Sequence, residues 1–413
     1  MELIFGIIVG LVVLMLLVLV HELGHFIVAR RNGVEVTEFA IGFPPRAVAW
    51  RKVNGKWCRL KKSEWENPPS KDYVVSLNWL PIGGFCQMKD ESDAATRKGS
   101  FGRASFWQKT KILFGGVTMN LIFAAVILTI LAFTGMPHFI EGQFEVPSDT
   151  NISAAPVLVG EVEPSSPAEV AGLQSGDELK TMKIEECVVQ DCHPQIKDEV
   201  EIVTPQDVTS FDAKYAGHHI ELIYIRDGKE HSASVALNES GGDYILGVIM
   251  NQTSMPIYRS TWSAPIVGVA TTVQLTGETF RGLGEMVWNL VSGAVMQVNI
   301  DSSVREEGAA NIEKAGQAVS GPVGIIGVLF PAFAQTGLTN VAFLAAIISV
   351  SLACMNILPI PALDGGRWLL IAIYRLRKKK LTKATEEKIV SRAFMVLIGL
   401  IILITVLDVM RLF

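Results

Sequence analysis

Two histidines four residues apart, His21 and His25, flank Glu22 in the stretch LVLVHELGHFIVARR. On a helix that spacing puts both imidazoles on one face, where they can hold one metal ion. Glu22 falls on the adjoining face, within reach of a metal-bound water. The structural alternative is a pair of satisfied core histidines. The surroundings argue against it, because the motif continues the uncharged run from Leu3 to Val20. Imidazole and carboxylate are costly in hydrocarbon unless something holds them. A zinc ion would occupy both histidines and give Glu22 a hydrogen-bonded role.

Catalytic zinc takes three protein ligands and keeps one position open. Acids at membrane depth are scarce in this chain. The stretch NILPIPALDGGR, Asn356 to Arg367, ends a long apolar run and carries Asp364. Pro359 and Pro361 break a helix and free backbone carbonyls. Gly365 and Gly366 allow close approach of backbone. A break at membrane depth is tolerated beside a polar cavity. Asp364 is therefore the candidate third ligand, the alternative being that it caps the following helix. Asn356 could hold a peptide carbonyl or an oxyanion.

The elements that must position these groups follow from composition. The chain has 413 residues, 49% of them apolar, with mean hydropathy +0.36, which places it among membrane proteins. Uncharged runs cover Leu3 to Val20, Ile112 to Phe139, Leu338 to Leu363 and Ala393 to Leu407. Between Arg30 and Lys111 there are 16 basic and 8 acidic residues, and between Asp364 and Arg392 there are 9 and 3. The middle, Thr134 to Asn340, has 10 basic and 27 acidic residues. Basic blocks favour the cytoplasmic side, so four spans leave the acidic middle and both termini outside. His21 lies nine residues before Arg30, about 13 Å along a helix axis, which sinks the metal site into the membrane near its inner edge. The first run lacks a basic leader and a small-residue cleavage site and reads as a span, not a signal peptide. A net charge of -5 gives no ground for a nucleic-acid partner.

The expected fold class is a polytopic α-helical membrane protein of about four transmembrane helices. It carries a membrane-associated β-hairpin loop and an inserted extracytoplasmic PDZ-like α+β domain. The expected order is a first span over 1-30, a cytoplasmic segment over 31-105 with a re-entrant β-loop at about 73-89, and a second span over 106-135. A PDZ-like domain follows over 152-252, then an amphipathic or linker region over 261-335, and spans over 338-363 and 391-410. The loop YVVSLNWLPIGGFCQM, Tyr73 to Met88, reads as two short strands around Pro-Ile-Gly-Gly. In the middle block, Thr204 and Pro205 open a helix and Asp227-Gly228 turns a hairpin. Trp262 to Val298 reads as a membrane-surface or domain-packing helix. Cys187 and Cys192 lie in the outer block, where a disulfide is permitted, and two free thiols are the equal alternative.

Taken together, HELGH in a first span, the apolar Pro-Ile-Gly-Gly loop, the PDZ-like insert and N-x-x-P-x-P-x-L-D-G-G resemble the bacterial site-2 proteases over essentially the whole chain. That resemblance implies an intramembrane zinc metalloprotease with one Zn2+, bound by His21, His25 and Asp364, with Glu22 as general base and Asn356 assisting substrate placement. It implies that the Tyr73 to Met88 loop, with Asn78, Pro81, Gly83 and Gly84, pairs with an unwound substrate strand. The implied substrates are single-span membrane proteins, such as anti-sigma-factor-like regulators, or remnant signal peptides, in the bacterial cytoplasmic (inner) membrane. Peptide C-termini are the implied ligands of the PDZ-like domain. The family's second-span motif reads Gly-Pro before its Asn, whereas FGGVTMN, Phe114 to Asn120, has Val117 in the proline's place. A non-catalytic scaffold with a structural metal would need a fourth protein ligand, and a transporter would show internal repeats; neither feature is present in the sequence.

Overall fold

A computed structural model describes residues 2-53, 56-65, 73-140, 142-187, 194-239, 244-252, 256-299, 301-317 and 321-412. The chain divides into two compact units, residues 133-263 and the segments 1-132 and 264-413 on either side.

The flanking unit opens with α1 (Glu2–Arg31), uncharged from Leu3 to Val20 and about 45 Å long at ~1.5 Å per residue. Then come β1 (Val36–Val53), β2 (Lys56–Arg59) and β3 (Val74–Met88), joined as one sheet in the order β2-β1-β3. The expected hairpin about Pro-Ile-Gly-Gly is corrected here. Glu38 to Ile41 of β1 are paired with Gln87 to Gly84 on one side and with Val74 to Leu77 on the other, so β1 separates the two arms of β3. Its anchor is Glu38, 4% exposed, which accepts from Ser76 Oγ at 2.6 Å and is ion-paired to Arg46. A buried carboxylate with both partners in hand fixes that half of β1 in the middle of the sheet. The bend between the arms uses Gly83 at φ +83°, and Gly84 to Gln87 form the outer arm. The unit's first part closes with α2 (Phe106–Thr134).

The inserted unit contains β4 (Met136–Pro137), β5 (Asn151–Ser153), β6 (Val157–Val162), α3 (Pro167–Val170), β7 (Glu178–Cys187), β8 (Pro194–Glu201), α4 (Pro205–Lys214), β9 (His219–Arg226), β10 (Lys229–Ala236), β11 (Val248–Gln252) and β12 (Ile257–Arg259). Its main sheet runs β10-β9-β7-β6-β11, with β8 on β7. In β9 the alternate residues Ile220, Leu222 and Tyr224 are buried, the period of a strand with one face on a core. Met182, Val208 and Phe211 complete that core. Ser166 caps α3 ahead of Pro167, and Thr204 with Asp207 forms a capping box ahead of Pro205. The β9–β10 turn places Asp227 at φ +51° and Gly228 at +73°, the tight hairpin geometry. Cys192 and the Cys187 side chain fall outside the described residues, and so does the choice between a disulfide and two free thiols.

The flanking unit resumes with α5 (Ala264–Met296), α6 (Ser302–Gln317), α7 (Pro322–Gly324), a π-helical turn at Ile325–Leu329, α8 (Phe330–Gln335), α9 (Leu338–Ile357), α10 (Asp364–Leu376) and α11 (Lys383–Leu412). Among the described residues four helices are long and apolar enough to cross a membrane: α1, α2, α9 and α11. In α5 the buried positions Ala264, Val267, Gly268, Thr271, Thr272 and Leu275 recur every three or four residues. Gly268 sits directly against Thr129 of α2, so this half of α5 is a packing helix. Small residues also seat α8 on α1. Gly10 leaves room for the Phe330 ring, which a Cβ would approach to 2.8 Å, and Gly6 lies against Pro331.

Candidate active site

His21, Glu22 and His25 lie two-thirds of the way along α1, and Asp364 is the first residue of α10. The chain between α9 and α10 doubles back so closely that Gly365 touches the Ile357 carbonyl and Gly366 the Ile360 carbonyl, leaving no room for a Cβ at either. That fold-back aims Asp364 at the histidines. The N-cap of α10 is Leu363 and no side chain caps it, so the capping alternative for Asp364 is not what the carboxylate does.

Asp364 Oδ2 lies 3.1 Å from His21 Nε2 and 3.3 Å from His25 Nε2, and the two Nε2 atoms are 3.1 Å apart. Ligand atoms ~2.1 Å from a tetrahedral zinc are about 3.4 Å from one another, so this triangle is the size the ion requires. Two neutral imidazoles and a carboxylate are also the donor set of a catalytic zinc site. His21 is 9% and His25 7% exposed.

Behind the triangle stands α2. The resemblance singles out FGGVTMN on this helix, with Val117 putting a special role in doubt, and gives Gly116 and Asn120 no place at the histidines. A Cβ on Gly116 would lie 2.6 Å from both Nε2 atoms, so the glycine keeps open the space beside them. Gly115 and Gly24 are in backbone contact, which lets the two helices come this close. His25 Nδ1 donates to the Ile112 carbonyl at 2.8 Å, leaving the Nε2 lone pair facing the triangle. Asn120, fully buried, places Nδ2 3.4 Å from His21 Nδ1, and its Oδ1 has no partner among the described residues. Turning that amide over gives His21 Nδ1–H an acceptor and frees His21 Nε2 as a ligand. The signal was present in sequence as a Gly-Gly pair and a lone Asn in an apolar span.

Glu22 Oε2 accepts from the Cys86 backbone N–H at 2.8 Å, tying the motif to the outer arm of β3. A cavity of about 530 Å³ opens here, lined by Glu22, the triangle, Phe85 to Met88, Glu91, Asn356 and Arg367. Asn356 thus faces the cavity, although one of its N–H groups is bonded to Leu352 O at 2.9 Å. The other loop residues lie elsewhere. Asn78 donates to Gly42 O at 2.9 Å inside the sheet, Gly83 packs beside Phe43 and Val18 at the bend, Gly84 abuts the Ala40 carbonyl, and Pro81 is in the same bend outside the cavity lining. Arg367, one turn beyond Asp364, donates to the Glu91 carbonyl and is 3.4 Å from Glu386 Oε1. Glu386 in turn accepts from Asp93 N at 2.9 Å and Ser92 Oγ at 3.0 Å, so one network holds α10, α11 and the segment after β3 together.

Comparison with known proteins places this geometry. Residues 9–61 and 65–401 match peptidase family M50. The chain is 30% identical over 95% of its length to a Clostridium perfringens protein named as a candidate zinc metalloprotease, and 95% of that protein is covered. It is 25% identical to the regulator of sigma-W protease RasP of Bacillus subtilis, with 96% of each chain covered. The zinc metalloprotease RasP of Oceanobacillus iheyensis is likewise 25% identical, over 96% of this chain and 97% of that one. With nearly its full length matched, the chain belongs to peptidase family M50 and is a zinc metalloprotease of the multi-pass membrane type.

Proposed function

We propose that the enzyme hydrolyses peptide bonds within or next to the transmembrane segments of single-span proteins, at a zinc held by His21, His25 and Asp364. The observation that carries this reading is the 3.1–3.3 Å triangle of ligand atoms drawn from α1 and α10. Zinc, when bound, supplies Lewis acidity toward water and toward the scissile carbonyl.

The chain's own groups do the rest. Glu22 takes one proton from the attacking water as the oxygen–carbon bond forms, and delivers it to the amine nitrogen as the carbon–nitrogen bond breaks. Asn356, which lines the cavity, orients the carbonyl and stabilises its developing negative charge through its second N–H. A helical substrate must unwind first, because its carbonyls are hydrogen-bonded. The outer arm of β3, Phe85 to Met88, offers a sheet edge against which the unwound segment pairs. Asn78, Pro81, Gly83 and Gly84 then shape that arm and its bend rather than touch substrate.

The basic flanks of the spans favour a cytoplasmic-membrane location with residues 133-263 on the outer side. That inserted unit, with its edge strand β11 beside α4, has the layout of a PDZ-like peptide-binding module. The likeness to the sigma-W regulator RasP favours anti-sigma-factor-like substrates, with remnant signal peptides as the second class.

Glu22→Gln should keep one zinc per chain and lose cleavage of a single-span substrate by at least 10²-fold. Asp364→Ala should lose zinc. Retained turnover in the first variant would overturn the assignment of Glu22, and unchanged zinc stoichiometry in the second would overturn that of Asp364.

A further inference from the structure

A second cavity, of about 800 Å³, lies between the first turn of α2, the last turn of α10 and the turn into α11. Six cationic side chains line it, Arg103, Lys109, Arg375, Lys379, Lys380 and Lys383, with Asp93 the only carboxylate. Lys109 is committed to Asp93 at 2.5 Å, and Lys383 reaches Glu387 at 3.8 Å. Among the described residues Arg103, Arg375, Lys379 and Lys380 have no carboxylate partner. Arg375 lies over the Phe106 ring, 5.0 Å from its centre, which holds its guanidinium at the wall. The first turn of α2 adds the positive end of a helix 29 residues long.

The chain is folded to gather this charge. Lys378 takes φ +51°, a left-handed conformation unusual for lysine, and Lys379 N bonds back to Tyr374 O at 3.0 Å. Leu381, 2% exposed, then pins the turn against the core that includes Leu370 and Ile371. The depth of the cavity is also fixed. It sits at the first turn of α2, just before the uncharged run that starts at Ile112, and Trp107 of that turn is 71% exposed in the position of an interfacial aromatic.

Four unpartnered cations in one concavity at the lipid–water boundary call for an anion that resides at that depth. We propose that this cavity binds the phosphate headgroup of an anionic phospholipid, with the acyl chains lying along α2. A basic pocket of this kind gains about fivefold in affinity per lysine or arginine.

The test uses the full-length, zinc-loaded enzyme in a neutral detergent, with bound lipid read by native mass spectrometry. Phosphatidylglycerol, phosphatidylcholine and inorganic phosphate are titrated separately. The expected result is saturable retention of one phosphatidylglycerol, little retention of phosphatidylcholine, and phosphate effective only at far higher concentration. The double variant Lys379→Ala/Lys380→Ala should bind phosphatidylglycerol about 25-fold more weakly, as two such cations require. Both side chains are exposed and unpartnered, so the fold is not at stake. Lys388→Ala, on α11 but outside the cavity, should bind as the wild type does. Equal retention of the two lipids, unchanged affinity in the double variant, or phosphate binding as tight as phosphatidylglycerol would each overturn the proposal.

Discussion

Replacing Gly116 by alanine tests the position of the metal more sharply than removing a ligand does. The added Cβ would fall 2.6 Å from His21 Nε2 and His25 Nε2, where ordinary contact is no closer than 3.4 Å. Relief therefore needs almost an ångström of movement. The backbone of α2 cannot supply it cheaply, because Gly115 is already against Gly24 and a Cβ there would lie 2.9 Å from the Gly24 carbonyl oxygen. The rings must move instead, and His25 is held by its bond to Ile112 O. Overpacking of this kind costs about 1–3 kcal/mol, which falls on the metal-bound geometry and weakens zinc by roughly 5- to 150-fold. The assay is competition for zinc against a graded chelator series, on the full chain, with cleavage measured at each occupancy. Gly277→Ala on α5, where a Cβ meets nothing within 4 Å, is the matched control and should bind zinc as the wild type does. Wild-type affinity in Gly116→Ala would place the ion away from the two Nε2 atoms and refute the reasoning.

Asn120→Leu should weaken zinc binding or turnover by about 10- to 100-fold, because His21 Nδ1 loses its only described partner; a chelator competition within twofold of wild type would exclude that role. Asp212 on α4 gives a pH dependence. It is 6% exposed, its Oδ1 lacks a partner among the described residues, and burial pushes its carboxyl up to about 7. Folded, the group keeps its proton to about pH 7, whereas unfolded it loses it near 4, so its contribution is fully present below about pH 4 and is lost as pH rises to about 7. Asp212→Asn should flatten that slope and stabilise the inserted unit above pH 7 by up to about 4 kcal/mol. Protection of β9 amides against hydrogen exchange, corrected for the intrinsic rate, reads it out, and an unchanged slope would contradict the prediction.

The convergence of His21, His25 and Asp364 was legible in sequence because such residue types are so improbable in hydrocarbon. The four long apolar helices were legible because a membrane imposes length and hydropathy on each one separately. What a single helix cannot disclose is which neighbour it faces. The resemblance marks FGGVTMN as a motif, but that Gly116 and Asn120 stand beside the two histidines shows only once α2 is laid against α1. The arms of β3 were misjudged for a related reason. Pairing between strands is set by partners far along the chain, and Glu38, which decides it through Arg46 and Ser76, lies outside the loop that was read. The aim of Asp364 was half legible, since the prolines and glycines announced a sharp reversal but not its direction.

The outer arm of β3 is an unpaired sheet edge, and such edges invite promiscuous docking by any extended chain. Here successive outward-facing amides are already stoppered by acids. Cys86 N–H is taken by Glu22, and Met88 N–H by Glu91 Oε1 at 2.8 Å. A guest strand has to draw both plugs before it can settle, and drawing the first one frees the carboxylate proposed above as the general base. On that proposal the idle enzyme is shielded from stray peptides, and arming is tied to occupancy by the same bond.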